Sequence, residues 1–170
     1  MELIHYSRTT SPAGPLLLAL SVRGLFKLEF DRGQPAEGTG QTWRESASAL
    51  AAWLRELSEY FDGHRQSFTL PLDLRGTDFQ LKCWRALLDI PYGQTCSYRD
   101  IALAIGHPQA FRAVGMSNNR NPIAIVVPCH RVIATDGSLC GYGGGLDIKR
   151  KLLDLEHVHL PACLPLGIGA

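Results

Sequence analysis

Two helix-capping signals in the second half of the chain constrain its architecture more than any other feature. Thr77-x-x-Gln80 and Ser97-x-x-Asp100 each place a hydroxyl three residues ahead of a side chain that can bond back to the cap, so each predicts a helix start. After the first, Phe79, Cys83, Ala86, Leu87 and Ile90 fall on one helical face until Pro91-Tyr92-Gly93 ends it, and this places Cys83 in the core. After the second, Ile101, Ala104 and Ile105 point inward until Gly106. A third helix is predicted from about Gln109 to Asn118. Two short helices joined by a tight glycine-containing turn form the helix-turn-helix pattern, which ordinary helical hairpins share.

The first half reads differently. Leu16 to Leu20 and Leu25 to Phe30 are short apolar runs joined around Arg23-Gly24, the strands of a hairpin. Beyond the polar stretch Gly33 to Gly40, Thr42 and Glu45 have capping-box spacing ahead of an apolar stripe of Trp43, Ala47, Leu50, Leu54, Leu57 and Phe61. This predicts a single amphipathic helix stopped near Gly63. Phe68 to Leu74 is a candidate strand, and Arg75-Gly76-Thr77 marks the junction to a second unit.

With 170 residues the chain can form one ordinary domain or two small ones. No apolar run approaches the roughly 18 residues of a membrane helix, and the start has no basic-then-apolar plan, so a soluble, cytoplasmic protein is expected. The five cysteines, Cys83, Cys96, Cys129, Cys140 and Cys163, are odd in number and lack a Cys-x-x-Cys pair. They read as free thiols in a reducing compartment, and with no histidines at matching intervals no bound metal is expected.

A net charge of +1 leaves no basic field over the whole molecule, so attraction to nucleic acid would need a local patch. Between residues 99 and 131 four arginines, Arg99, Arg112, Arg120 and Arg131, stand against one acid, Asp100. On the third helix Ala110, Ala113, Val114 and Ser117 share one side, with Arg112 and Met116 on roughly the other. Arg112 is thus either a solvated side chain or one offered to DNA.

Ile123 to Val127 has the continuous apolar character of a buried strand and delivers Pro128-Cys129-His130-Arg131 at its end. A thiol there could act as a nucleophile if a partner removes its proton, and His130 is the adjacent candidate. Successive extended side chains point to opposite faces, so a bridging water or a local bend is expected between Cys129 and His130. On the C-terminal helix from Asp147 to His157, Glu156 falls inside the arc of Ile148, Leu152 and Leu155. A carboxylate there wants a partner such as a histidine, unless the helix end is frayed. Gly141-Tyr142-Gly143-Gly144-Gly145 lacks the Gly-Lys-Ser/Thr of a phosphate loop; it could let backbone approach a flat ligand, with Tyr142 as a wall, or be a flexible surface loop.

Pro128-Cys129-His130-Arg131-Val132-Ile133, preceded by Arg112-Ala113-Val114-Gly115 and Asn121-Pro122-Ile123, and followed by Gly141 to Gly145 and Leu152-Leu153-x-x-Glu156, closely resembles the O6-alkylguanine-DNA alkyltransferases, the methylated-DNA-protein-cysteine methyltransferases. The resemblance covers about residues 77 to 157. It implies an α+β protein in which a small N-terminal sheet-plus-helix, ribonuclease H-like domain (1–76) packs on a C-terminal winged helix-turn-helix-like domain (77–160), with a tail at 161–170. It further implies direct reversal of DNA damage: one irreversible transfer of an alkyl group from O6-alkylguanine in duplex DNA to Cys129, with O4-alkylthymine as a candidate second lesion. No cofactor is implied, and the protein is expected to act as a monomer.

The same resemblance assigns roles. Glu156 would orient His130, His130 would act through water on Cys129, and Asn121 would organise the site. Tyr98 would contact the DNA backbone and assist the leaving oxygen, while Tyr142 and Gly143 would line the base pocket. Arg112 would be the finger that fills the gap left by a flipped nucleotide, and the small residues Ala110, Ala113 and Gly115 would let the helix enter the minor groove. Phe111 departs from the pattern, since a small residue is common there; it either turns into the core beside Val114, which its helical angle favours, or changes how closely the helix approaches DNA. Some relatives hold zinc in the N-terminal half through Cys and His, but this chain has no cysteine before Cys83.

Three rival readings differ in chemistry. A lesion-binding protein that does not transfer alkyl groups would lack the acceptor thiol. A Cys-His hydrolase would need a base able to reach that thiol directly. A helix-turn-helix regulator would need a dimer helix or an effector domain.

Overall fold

The computed structural model describes residues 1–158, so the tail expected at 161–170, with Cys163, lies outside the described residues. They divide into two compact units, one of Met1–Arg75 with Pro122–Ala124, the other of Gly76–Asn121 and the chain from Ile125 on.

The first unit is built on strands β1 (Glu2–Thr9), β2 (Leu16–Ser21), β3 (Gly24–Phe30) and β4 (Gln41–Glu45), in the order β3-β2-β1-β4. The expected hairpin is β2 and β3. Its turn requires Gly24, which has φ +147° and where a Cβ would collide with the Pro71 carbonyl. Pro122–Ala124 attach to the same strand, with Leu28 N donating to Pro122 O at 2.9 Å and Ala124 N to Leu28 O at 2.8 Å.

Two expectations fail in this unit. Thr42 does not open a helix: Gln41–Glu45 pair in parallel with Glu2–Tyr6, and helix α1 (Ala51–Phe61) begins only after a turn. Capping-box spacing carried no information there, because the ladder already satisfies the backbone and the Trp43 ring packs 6.0 Å from Tyr6 and 5.8 Å from Phe26. Phe68 to Leu74 is not a strand but touches β3 through a single bridge, Leu25 to Leu72. Pro71, in its middle, has no N–H to give a ladder.

The second unit carries helices α2 (Asp78–Leu88), α3 (Tyr98–Ala104), α4 (Phe111–Asn119) and α5 (Leu146–Val158), with the short parallel strands β5 (Cys96–Ser97) and β6 (Val132–Ile133). Both predicted capping boxes form. Gln80 N donates to Thr77 Oγ1 at 3.3 Å and Thr77 N to Gln80 Oε1 at 2.9 Å, while Asp100 N donates to Ser97 Oγ at 3.1 Å and Ser97 N to Asp100 Oδ2 at 2.7 Å. Helix α2 buries Cys83, Trp84 and Leu87, and the Trp84 indole N–H anchors on Ser117 O at 2.9 Å, tying α2 to α4. Helix α3 buries Ile101 and Ala102 and leaves Ala104 exposed, because its buried face is centred between Ile101 and Ala102 and Ala104 falls about 110° round the helix from that centre. Gly106, at φ +77°, turns the chain into α4, which buries Val114, Ser117 and Asn118 and exposes Arg112 and Met116.

The strand expected at Ile123 to Val127 is absent. Ile123 bridges to Leu28, Ile125 takes φ +71°, and the chain turns into a 3₁₀ helix at Cys129–Arg131. The run is apolar because Ile123, Ile125, Val126 and Val127 are all buried, and continuous apolarity reports burial without a period. A positive φ on a β-branched residue is a strained conformation that only firm packing maintains. No helix among the described residues is long and apolar enough to cross a membrane.

Candidate active site

The 3₁₀ turn presents Cys129, His130 and Arg131 in succession, all buried. Cys129 is therefore held by a helical bend, the local departure from extended backbone that its relation to His130 calls for. Asn121 Nδ2 donates to Cys129 Sγ at 3.1 Å and to Val127 O at 2.7 Å, so one amide fixes both the sulfur and the backbone leading to it.

His130 Nε2 lies 2.7 Å from Glu156 Oε1, and both side chains are completely buried. A carboxylate can only accept, so the neutral imidazole carries its proton on Nε2 and leaves Nδ1 as the basic nitrogen. Nδ1 is buried and bonds no protein group among the described residues. Glu156 is also gripped by Arg131, whose Nε and Nη2 donate to its two oxygens at 2.9 Å each, while Arg131 Nη1 donates to Ile90 O at 2.7 Å.

Burial alone would push the Glu156 carboxyl up, but His130 and Arg131 outweigh it and hold the group well below the usual carboxylate range. Burial lowers the His130 pKa against the pull of Glu156, so the resting imidazole is neutral. Burial also raises the Cys129 thiol, opposed by the Asn121 hydrogen bond and by the charge of Lys149. A thiol in this state is protonated at rest and needs a base.

Sequence reasoning missed two of these residues. Arg131, counted there in a basic surface patch, is 6% exposed and spent on Glu156, which leaves Arg99, Arg112 and Arg120 as the exposed cations of that segment. Lys149 is wholly buried; its Nζ donates to Val132 O at 2.5 Å, Cys140 O at 3.1 Å and Gly141 O at 3.4 Å, joining β6 to the glycine loop. Its position two helical turns before Glu156, on the same face of α5, was the available signal.

Tyr98, half-buried at the start of α3, donates its hydroxyl to Cys140 O at 2.8 Å, and its ring lies under Lys149 Nζ at 6.0 Å. Burial raises its pKa, so the hydroxyl keeps its proton. Tyr142 is half-buried and Gly143 exposed, and burial pushes the Tyr142 phenol well up. Ala110 is the N-cap of α4, and Ala113 and Gly115 are half-buried on it. A Cβ on Gly115 would meet the Tyr98 ring at 3.7 Å, an ordinary contact.

Phe111 does not turn into the core. It is half-buried and lines, with Tyr98, Arg99, Gly115 and Cys140, a cavity of about 450 Å³. As the first residue of α4 it stands before the helix's buried stripe begins at Val114, so its angle relative to that stripe did not govern it. Among the described residues no three His, Cys, Asp or Glu converge where they could hold a metal ion.

Residues 78–158 match the DNA binding domain of 6-O-methylguanine DNA methyltransferase, and residues 4–74 match its ribonuclease-like domain. The methylated-DNA–protein-cysteine methyltransferase of Methanosarcina barkeri is 49% identical over 157 residues, 92% of this chain and 99% of that protein. The crystal structure of Mycobacterium tuberculosis O6-methylguanine methyltransferase aligns with a TM-score of 0.85 at 48% identity, covering 94% of this chain and 96% of that one. A structure of the same organism's protein in complex with DNA aligns at 0.82 and 48%, covering 93% and 96%. Matched in both halves and over nearly its whole length, the chain belongs to the 6-O-methylguanine DNA methyltransferase family.

Proposed function

We propose that this protein repairs DNA by moving the alkyl group of O6-alkylguanine onto Cys129, once per molecule. The observation that carries the reading is that His130, hydrogen-bonded to Glu156, shares its turn with an Asn121-held thiol, in a chain of this family.

The duplex binds through the α3–α4 helix pair, with Arg112 as the finger and Ala110, Ala113 and Gly115 allowing close approach in the minor groove. The target nucleotide leaves the stack at a cost of a few kcal/mol, and the base enters beside Tyr142 and Gly143. Glu156 holds the His130 Nε2 proton, so Nδ1 takes the Cys129 proton through a bridging water. The sulfur then attacks the alkyl carbon in line: a carbon–sulfur bond forms as the carbon–oxygen bond breaks, and the electron pair leaves with the guanine oxygen. Tyr98 donates a proton to the departing guanine and recovers one from the imidazolium, so the net transfer is of the thiol proton to the base. The thioether has no leaving path, and the protein is consumed.

Analysis of the DNA tests this reading. Incubating a duplex carrying O6-methylguanine with a limiting amount of protein is expected to restore one guanine per protein molecule and then stop. Continued turnover, an abasic product or an unchanged lesion would overturn it. The same duplex distinguishes a lesion binder, which shifts on a gel and restores nothing. The protein acts as a monomer in this reading.

A further inference from the structure

Phe111 places an aromatic ring where two exposed arginines converge: the guanidinium carbon of Arg99 lies 5.4 Å from the ring centre and that of Arg112 lies 6.0 Å from it. The three residues come from two elements, Arg99 from α3 and the others from the first turn of α4. The ring also walls, together with Tyr98, the cavity of about 450 Å³.

The two cations are free for an external anion. Among the described residues neither forms an ion pair, and Asp100, the acid next to Arg99, is committed to capping α3 through Ser97. A free arginine side chain is rotationally disordered, and ordering it on entering a duplex subtracts from binding. A ring face attracts a guanidinium without neutralising it, and so narrows its range while leaving its charge available to phosphate.

We infer that Phe111 is a positioning residue that braces Arg99 and Arg112 as a two-armed clamp, Arg112 aimed into the base stack and Arg99 at the backbone of the strand. The inference rests on the finger role of Arg112. It accounts for a bulky residue at the helix entrance where the neighbours Ala110, Ala113 and Gly115 are small.

The test compares alkyl transfer from an O6-methylguanine duplex with transfer from free O6-methylguanine base, in a cycle of variants. Phe111→Leu, which keeps apolar bulk and removes the ring, is expected to slow the duplex reaction about three- to tenfold and the free-base reaction much less. Phe111→Tyr is expected to restore the duplex rate. In an Arg99→Ala/Arg112→Ala background Phe111→Leu should add almost nothing, since its effect passes through the arginines. Equal losses on duplex and free base, failure of Phe111→Tyr to rescue, or full additivity in the arginine-free background would each overturn the brace. If Arg112→Ala slows the duplex reaction and Phe111→Leu does not, only the brace falls. If Arg112→Ala has no selective effect on duplex, the finger role falls and takes the brace with it.

Discussion

His130 Nε2 and Glu156 Oε1 stand 2.7 Å apart with neither side chain open to solvent, and Arg131 donates to both oxygens of the same carboxylate. The pair fixes the tautomer of the imidazole, which fixes the nitrogen that can take a proton. Glu156→Gln keeps the shape but loses the charge that stabilises the imidazolium. Single-turnover measurements are expected to show alkyl transfer slowed by about 10²-fold or more, with duplex affinity nearly kept. Unchanged transfer would remove Glu156 from the relay.

Stability should weaken on the acid side through the same pair. The unfolded chain protonates His130 near its ordinary value of 6.5, whereas the folded chain resists, so below that pH the unfolded state binds the extra proton and gains ground. Glu156 acts in the same direction at lower pH: its folded pKa lies below 4.5, and the stability it contributes above 4.5 is lost as pH falls toward the folded value. Urea midpoints are expected to be level between about pH 7 and 8 and to decline below about 6.5, with His130→Gln removing the first part of the decline. A midpoint that rises between pH 6.5 and 5 would contradict this.

Lys149→Met leaves three carbonyls without their shared donor, an expected loss of about 2–4 kcal/mol in chemical unfolding. It also removes a positive charge that favours the Cys129 thiolate, so a pH titration of thiol reactivity should move upward. A titration that stays in place would confine Lys149 to holding the loop.

Arg112→Ala should slow repair of duplex DNA far more than reaction with the free alkylated base, because only the duplex requires extrusion. Rates on the two substrates, measured side by side, give the ratio directly. Equal losses would remove the finger role.

The helical half was legible because its signals are local. Thr77 with Gln80 and Ser97 with Asp100 are complete capping devices within four residues, and the apolar arc around Glu156 needs only the period of one helix. The misreadings arose where distant partners decide. Thr42 to Glu45 is a strand because Leu3 and Ile4 lie beside it, and Ile123 to Val127 bends although its composition is that of a strand. Arg131 looked like surface charge since nothing local reveals that Glu156 lies across from it. Cys129, His130, Asn121 and Glu156 were all named from the sequence, while the atoms that join them required the fold.

The most direct test is the intact mass of the protein after exposure to an excess of O6-methylguanine duplex. A single added methyl group is expected, mapping to Cys129 in peptide analysis and absent in Cys129→Ser. A Cys129 that still titrates as a free thiol after that exposure would contradict the account.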